Sequence, residues 1–350
     1  MAMNIKELLK LAVKEKASDL HISEGVPPVL RMDGELRPIS SKALTSDDTK
    51  QMIYSILNDT QRVKFEENWE LDMSLYIPDV SRFRVNIHVQ RGNVEAAFRV
   101  ISLDIRSIEE LGLPPIVAKL SRRPNGLVII TGPTGTGKTT TLAAMVDLIN
   151  RERSRMIITI EDPIEYQHTH KKSIVKQREV GSDTKSFSIA LKHVLRQDPD
   201  VIMVGEMRDL ETISTAITAA ETGHLVLTTL HTPDAPQTID RLIDIFPPYQ
   251  QRQIQIQLAD CLQGVISQEL VPRADGKGRV IATETLIATP AVRNVIREHK
   301  TEQIATLIQT GQKYGMKSMD KSLKELVKYG IIEVEEALMR VRSGEDFDKL

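Results

Sequence analysis

A glycine-rich segment that ends in Gly-Lys-Thr has the residue types and the spacing needed to hold the phosphates of a nucleotide. Residues 132–139 match the pattern G-x-x-x-x-G-K-[ST]. In that pattern backbone N–H groups surround phosphate oxygens, the lysine reaches the β- and γ-phosphates, and the last hydroxyl binds Mg²⁺. We therefore expect ATP and Mg²⁺ as ligands, with Lys138 on the phosphates and Thr139 on the metal. The expected nucleotide-binding residues are Gly132, Pro133, Thr134, Gly135, Thr136, Gly137, Lys138, Thr139 and Thr140.

The residues on either side of this loop predict the elements that position it. Four apolar residues, 127–130, precede the loop and are typical of a buried strand. Apolar side chains then recur at the spacing of an amphipathic helix, at Leu142, Met145, Val146 and Ile149. The N-terminus of such a helix presents unpaired N–H groups and a positive partial charge, so it stabilises a bound phosphate.

Beyond the loop the sequence alternates apolar strands with helices, which is typical of a parallel α/β sheet. The predicted strands cover residues 127–131, 156–160, 201–204 and 225–230. Ligands of such sheets bind at the edge formed by the carboxyl ends of the strands. The polar residues that follow these strand ends are therefore the candidate catalytic residues, namely Glu161, Glu165, Glu206 and His231.

The types of these residues favour ATP hydrolysis. Lys138 and Mg²⁺ would neutralise phosphate charge, and Glu206 is placed to orient or deprotonate an attacking water. Many phosphate-loop enzymes carry an aspartate where this chain has Gly205. We therefore expect any contact between Glu206 and Mg²⁺ to run through a water molecule. This part of the chain supplies no evident second cation for the transition state.

Composition excludes several classes of function. The 350 residues carry a net charge of −2 and only 4% aromatic side chains, so no footprint for nucleic acid stands out. The single cysteine, Cys261, excludes an internal disulfide and a four-cysteine zinc site, and we expect it in a helix core. No apolar run approaches the ~18 residues that span a bilayer, so a membrane role requires a partner. The amphipathic first residues predict a surface helix and not a signal peptide.

The N-terminal part of the chain predicts a small α+β domain. Polar and apolar residues alternate around Phe83, Val85 and Ile87, which indicates a strand with one buried face. Arg82 and Arg84 fall on its other face, and from the pattern alone a solvated face is the simpler interpretation.

Proline and glycine residues mark the predicted domain limits. We expect an N-terminal domain at 1–102 with a helix over 46–58, a linker at 103–124, an ATPase core at 125–288 and a helical region at 289–350. In that last region Val292, Val295 and Ile296 should pack inward, while Arg293, Arg297 and Glu298 should face outward.

Histidines elsewhere show no metal-binding spacing. His224 opens the fourth predicted strand, so at about 3.3 Å per residue it lies roughly 20 Å from His231. A structural or interfacial role is therefore favoured for His224. His168 and His170 lie in a polar segment with two lysines, which predicts a solvated loop.

Four segments together resemble the Walker A, Asp box, Walker B and His box motifs of the secretion ATPase superfamily. They are residues 132–140, 159–165, 198–209 and 222–232. Residues 18–22, 81–85, 245–248 and 291–298 resemble the type IV pilus retraction branch of that family. Extension and type II secretion ATPases usually carry a four-cysteine zinc insert near residues 271–283, where this chain has no cysteine. The resemblance is therefore to the retraction branch, and it implies no zinc.

This resemblance implies a fold, an assembly and residue roles. The fold would be an N-terminal PAS-like domain and a RecA-like P-loop ATPase domain with a helical C-terminal part. The assembly would be a homohexameric motor that powers pilus retraction and twitching motility. Arg82 and Arg84 would act in trans on a nucleotide of another subunit, where such arginines are worth about 10³ or more in rate. This reverses the interpretation as a solvated face.

The resemblance also implies a location and a motor segment. The ring would lie at the cytoplasmic face of the inner membrane, held there by a platform protein of that membrane and not by its own insertion. The motor segment would contain Arg293, Asn294, Arg297 and Glu298.

Two other kinds of protein share the phosphate loop. A RecA-like nucleic-acid translocase, or another secretion-type ATPase, would use the same nucleotide chemistry. Low aromatic content and near-neutral charge weigh against nucleic acid as a partner. A regulatory nucleotide-binding module that forms no ring is the non-motor alternative.

Overall fold

The chain divides into two units in the computed structural model, which describes residues 4–32, 34–40, 42–78, 80–101 and 104–342. The first unit comprises residues 1–104 together with 165–167, and the second comprises 105–164 and 168–350. The predicted limit at residues 102 and 103, and the end of the predicted helical region at 343–350, lie outside the described residues. Within the described ranges, no helix is long and apolar enough to cross a membrane.

The described part of the first unit contains three helices and a six-stranded antiparallel sheet. In chain order these are α1 (Ile5–Lys14), β1 (Asp19–Ile22), β2 (Val29–Met32), β3 (Glu35–Pro38), α2 (Ser46–Tyr54), α3 (Asp59–Asn68), β4 (Glu70–Ile77), β5 (Ser81–Gln90) and β6 (Asn93–Ile101). The sheet order is β3-β2-β1-β6-β5-β4. Phe83, Val85 and Ile87 of β5 are fully buried, which confirms the predicted strand and its buried face.

One predicted helix of this unit is shorter than expected. The helix predicted over 46–58 ends at Tyr54. Asn58 instead caps the next helix, because its side chain accepts a hydrogen bond from the backbone N–H of Gln61. The residues predicted as one helix over 46–58 therefore comprise α2, a short connection and the N-cap of α3.

The described part of the second unit contains a seven-stranded mixed sheet with helices packed on it. Its strands are β7 (Gly126–Thr131), β8 (Met156–Glu161), β9 (Ile174–Glu179), β10 (Val201–Val204), β11 (Leu225–Thr229), β12 (Leu262–Pro272) and β13 (Arg279–Ile287). Its helices are α4 (Pro115–Ser121), α5 (Lys138–Glu152), α6 (Phe187–Val194), α7 (Leu210–Glu221), α8 (Ala235–Asp244), α9 (Pro248–Cys261), α10 (Pro290–Arg297), α11 (Ile304–Thr310), α12 (Met319–Lys328) and α13 (Val334–Leu338), with 3₁₀ turns at Thr301–Gln303 and Gln312–Tyr314. The sheet order is β13-β12-β7-β11-β10-β8-β9.

The four predicted strands of this sheet correspond to β7, β8, β10 and β11, and their pairing is parallel. Every residue of β7 is buried, because α5 and α7 both pack on it. The sequence did not predict β9, β12 or β13. β9 carries the polar run Lys-Gln-Arg at the edge of the sheet, so it lacks the apolar signal of a central strand.

Candidate active site

The phosphate loop forms the turn between β7 and α5. Gly132, Gly135 and Gly137 have φ angles of 138°, 82° and 85°, a conformation that glycine adopts without the cost that a Cβ imposes. Gly137 is the N-cap of α5, and among the described residues no side chain caps this helix. The N-terminus of α5 faces the loop without a capping side chain, and the helix dipole there favours an anion.

Gly132 permits a close approach between the loop and β12. A Cβ at this position would lie 2.4 Å from the carbonyl oxygen of Gln268, which no side chain tolerates. Gln268 Nε2 also donates to the carbonyl oxygen of Thr136 at 3.3 Å. Gln268 of β12 thus packs against Gly132 and donates a hydrogen bond to Thr136. No sequence pattern pointed to Gln268, because the pairing of β12 with β7 is what brings it to the loop.

Lys138 is buried and lies within the turn of the loop. Its Nζ donates to the carbonyl oxygens of Gly132 at 2.7 Å and Pro133 at 2.9 Å. Thr136 Oγ1 donates to the same Pro133 oxygen at 2.9 Å. At the apex of the loop Pro133, Thr134 and Gly135 are exposed, whereas Thr139 and Thr140 are half-buried in the first turn of α5. A buried cation beside the N-terminus of a helix fits a polyphosphate ligand.

The carboxyl ends of β7, β11 and β10 lie side by side in the sheet. Thr229 of β11 pairs with Ile130 of β7, and Thr228 pairs with Val204 of β10. The segments that follow these residues therefore leave the sheet at one edge, as the sequence predicted. Within the second unit, this edge brings the phosphate loop, Glu206 and His231 into one region.

Glu206 and His231 are in direct contact. Glu206 Oε2 lies 3.5 Å from His231 Nε2, and Glu206 Oε1 lies 2.7 Å from Arg208 Nε. The glutamate side chain is 19% exposed and that of Arg208 is 74% exposed. The sequence analysis did not single out Arg208, since a charged residue just before a helix usually faces solvent. A largely buried carboxylate between an imidazole and a guanidinium can hold a water molecule and accept its proton.

Packing between strands explains why Gly205 stands where related sites carry an aspartate. A Cβ on Gly205 would lie 3.3 Å from the carbonyl oxygen of Ile160 and 3.5 Å from Cα of Glu161. The N–H of Gly205 also donates to that Ile160 oxygen at 2.8 Å. Because β8 approaches so closely, a side chain here would displace the neighbouring backbone. Glu206, two residues after the end of β10, is the first acidic residue that follows this strand.

The other two candidate carboxylates have different surroundings. Glu161 is 4% exposed, and its Oε1 accepts hydrogen bonds from Thr159 Oγ1 at 2.6 Å and Gln177 Nε2 at 3.0 Å. Glu165 is exposed and groups with the first unit. Catalytic roles for Glu161 and Glu165 therefore stay predictions.

Arg82 and Arg84 lie on the face of β5 opposite its buried side chains. Arg82 Nη2 donates to Ser74 Oγ of β4 at 2.7 Å, so one arginine is held by its own sheet. Arg84 is exposed. Their action on a nucleotide of another subunit stays a prediction.

His224 has a structural environment. Its Nδ1 lies 2.9 Å from the carbonyl oxygen of Ala219 in the last turns of α7. A carbonyl oxygen can only accept, so Nδ1 carries the proton. The same oxygen also accepts the backbone N–H of His224 at 3.2 Å and the hydroxyl of Thr222 at 3.1 Å, so the ring adds a further donor at the end of α7. This contact is consistent with the structural role, one of the two roles predicted for His224.

Burial changes two titratable groups away from this edge. His168 is only 8% exposed, so the prediction of a solvated position for it was wrong. Burial lowers the pKa of His168 to about 4, and its Nδ1 has no hydrogen-bond partner among the described residues. Cys261 ends helix α9 and is buried as predicted, and burial raises the pKa of its thiol to about 12. That thiol is therefore inert at neutral pH.

Arg293 does not face outward as the helical pattern predicted. Its guanidinium donates to four main-chain oxygens: those of Ala259, Asp260 (2.7 Å), Leu262 (2.8 Å) and Ala288 (3.1 Å). Three of these oxygens lie at the C-terminal end of α9 and the start of β12, where a helix leaves its carbonyls unpaired. Desolvation lowers the pKa of Arg293. The Arg293 side chain thus joins α10 to the C-terminal end of α9 by hydrogen bonds.

The remaining polar residues of α10 lie nearer the surface, as predicted. Arg297 Nη2 lies 2.5 Å from Asp260 Oδ1, in an ion pair whose partners are 39% and 52% exposed. Asn294 Nδ2 donates to Glu298 Oε1 at 3.0 Å, and Glu298 is exposed. On the inner face Val292, Val295 and Ile296 are buried. A role of these residues in the motor stays a prediction.

Known proteins resemble this chain in both sequence and fold. It matches the Type II/IV secretion system protein family over residues 1–339. It is 50% identical to the type IV pilus retraction ATPase PilT of Pseudomonas aeruginosa, over 99% of this chain and 100% of that protein. It is 46% identical to a twitching motility protein of Neisseria gonorrhoeae, over 99% of this chain and 92% of the relative. A crystal structure of the pilus retraction motor PilT with bound ADP matches it with a TM-score of 0.93 and 47% identity, over 99% and 100% of the two chains.

Proposed function

We infer that this chain, which belongs to the Type II/IV secretion system protein family, is an ATPase that powers retraction of a type IV pilus. Half of its residues are identical to those of a pilus retraction ATPase over nearly the full length of both proteins. The observation that carries the chemistry is the Glu206–His231 contact at the sheet edge that also bears the phosphate loop. The reaction is hydrolysis of ATP to ADP and phosphate.

The phosphate loop is the nucleotide-binding part of this proposal. Backbone N–H groups of residues 132–140, apart from Pro133 which has none, bind the phosphate oxygens. The ammonium of Lys138 leaves the loop carbonyls for the β- and γ-phosphates. Thr139 supplies a hydroxyl ligand to Mg²⁺, which when bound neutralises charge on the same phosphates. The dipole of α5 already points to the place where negative charge accumulates, and Lys138 needs only a side-chain movement to reach it.

Glu206 is the residue that acts on the attacking water. Its carboxylate orients the water toward the γ-phosphate and accepts its proton as the new P–O bond forms. His231 and Arg208 hold the two carboxylate oxygens, and therefore fix the direction from which the water is held. Glu161, buried beside this edge, and Glu165 complete the set of acids, and any contact between Glu206 and the metal runs through water.

The assembly completes the site in this proposal. The chain forms a homohexamer in which Arg82 and Arg84 reach a nucleotide of the neighbouring subunit. The ring lies at the cytoplasmic face of the inner membrane and acts on a platform protein of that membrane. The α10 residues 293–298 pass motion to that partner. Sedimentation that finds only monomer with ATP and Mg²⁺ at micromolar concentration would favour the regulatory module instead.

Replacing Glu206 by Gln tests the hydrolytic role. The variant should bind ATP as tightly as the wild type but hydrolyse it at least about a hundredfold more slowly, because the amide accepts no proton. Binding of a fluorescent ATP analogue and release of phosphate measure the two effects. Glu211→Gln is the matched control, since Glu211 is an exposed acid paired with Lys192. Normal hydrolysis by Glu206→Gln would remove this residue from the mechanism.

Mixed rings test the trans action of the arginines. Arg82→Ala subunits keep an intact loop, and Lys138→Ala subunits keep their arginines. Each homomer should be inactive, whereas mixtures of the two should regain part of the ATPase activity. Mixtures that stay as inactive as the separate variants would place the arginines in cis or outside the reaction. Stimulation of the wild type by single-stranded DNA would favour the nucleic-acid translocase.

A further inference from the structure

The segment between β11 and α8 carries His231, and one side of it is tied to the phosphate loop. Thr131, the last residue of β7, donates from Oγ1 to the carbonyl oxygen of Thr232 at 2.5 Å. The two hydroxyl oxygens also lie 2.7 Å apart. Gly132 follows Thr131 directly, so a shift of the loop is passed to the residue next to His231.

The other side of this segment is held from the C-terminal end of the described chain. Arg342 Nη2 donates to the carbonyl oxygen of Pro233 at 2.6 Å. Its Nη1 lies 3.1 Å from Glu284 Oε2 of β13. The second oxygen of Glu284 accepts the backbone N–H of Ala235, the first residue of α8, at 2.9 Å. Arg342 and Glu284 therefore fix both ends of the turn that follows His231.

Burial makes this pair sensitive to the loss of either partner. The side chain of Glu284 is 9% exposed and that of Arg342 is 26% exposed. Burial raises the pKa of Glu284, and the Arg342 guanidinium opposes that effect. A buried carboxylate that loses its cation either takes up a proton or moves toward water. Either change would alter the hydrogen bond that Glu284 accepts from Ala235.

A neighbouring arginine shows that this contact is specific to Arg342. The backbone N–H of Arg342 donates to the buried Asp320 at 2.9 Å, which directs its side chain to the turn. Arg340, two residues earlier, bonds instead to Glu336 within its own segment. The two arginines have the same charge and similar exposure, and both pair loosely with Glu269, at 3.9 Å for Arg340 and 3.8 Å for Arg342, but it is Arg342 that contacts Glu284 and Pro233.

We propose that Arg342 is a positioning residue for His231, so that the segment after α13 sets the geometry of the Glu206–His231 pair and thereby the rate of hydrolysis. This inference rests on the ATPase function proposed above. Arg342 donates to the carbonyl oxygen of Pro233 and pairs with Glu284, the residues that frame the turn after His231. It acts through Pro233 and Glu284, and the position of the C-terminal segment can therefore change turnover without changing nucleotide affinity.

A double-mutant cycle with His231 tests this proposal, because a merely structural role would not depend on His231. Arg342→Ala should lower the kcat for ATP about tenfold and leave KM within about twofold, since small misplacements of reacting groups cost rate. In a His231→Ala background the same change should lower kcat by less than about twofold. Arg342→Lys should retain more activity than Arg342→Ala, because an ammonium still pairs with Glu284. Arg340→Ala is the matched control and should keep the wild-type kcat.

Each result has a defined meaning. Absence of ATPase activity in the wild-type protein would refute the proposed function itself. An active wild type with an unaffected Arg342→Ala, or an equal loss in both backgrounds, would overturn the positioning role. The same loss in Arg340→Ala would also overturn it. If Arg342→Ala fails to fold, as judged by its urea unfolding midpoint, Arg342→Lys replaces it in the cycle.

Discussion

The phosphate loop and the α10 helix are both segments with a family resemblance, yet their side chains are used differently. The loop is built from glycines and backbone N–H groups, and the ammonium of Lys138 donates to main-chain oxygens of the loop itself. In α10, Arg293 bonds to four main-chain oxygens that belong to α9, β12 and the segment before α10. Lys138 thus bonds within its own loop, whereas Arg293 joins elements that are distant in the chain.

A substitution in the phosphate loop and one in α10 should therefore be interpreted differently. Loss of function in a Lys138 variant reports chemistry, because the strand and helix around the loop are held by apolar packing. Loss of function in an Arg293 variant reports folding first, because partly buried carbonyl oxygens at the end of α9 lose a charged donor. A motor role for α10 must therefore be tested on residues that carry less of the fold.

The largest effect is expected for Lys138→Ala. The variant should lose about a thousandfold in ATPase rate, since a positioned cation on the phosphates is removed from a largely buried site. Its urea unfolding midpoint should stay near that of the wild type. Phosphate release and urea unfolding monitored by circular dichroism measure the two effects. A large drop in stability would contradict the expected difference between the Lys138 and Arg293 variants.

Arg293→Ala should have the next largest effect. We expect its free energy of unfolding to fall by about 3 kcal/mol, since main-chain oxygens between α9 and α10 lose a charged donor. Arg297→Ala is the matched control on the same helix. Its ion pair with Asp260 is exposed, so the loss should stay below about 1 kcal/mol. Chemical denaturation measures both, and equal effects would show that the hydrogen bonds of Arg293 do not stabilise the contact between α10 and α9.

A comparison of two glycines within the loop sharpens the contrast further. Gly132→Ala should cost about 2 kcal/mol or more, because its Cβ would overlap the backbone of Gln268. Gly135→Ala meets nothing within 4 Å, so only its positive φ is penalised, by about 1 kcal/mol. Differences in unfolding free energy and in nucleotide affinity separate the two. Equal stability of both variants would mean that β12 shifts to make room for the added Cβ at position 132.

Apolar pattern was sufficient for the central strands but not for the edges of the sheet. β7, β8, β10 and β11 are nearly continuous apolar runs, because both of their faces are covered. β9 has a polar face, and the pairing of β12 with β7 joins residues more than a hundred positions apart. Helix ends were missed for a different reason. Asn58 acts as a cap for α3, and apolar spacing does not register a capping side chain.

Local patterns were sufficient to predict the candidate nucleotide site, since the loop, its flanking strand and helix, and the residues after each strand are marked by neighbours in the chain. Tertiary structure decided which side chains share that site and which support it. Pairing between distant strands brought Gln268 to the loop and crowded Gly205. Folding of the C-terminal segment placed Arg342 on the turn after His231 and turned Arg293 onto the end of α9. Such contacts join residues far apart in the chain, so no spacing within the sequence records them.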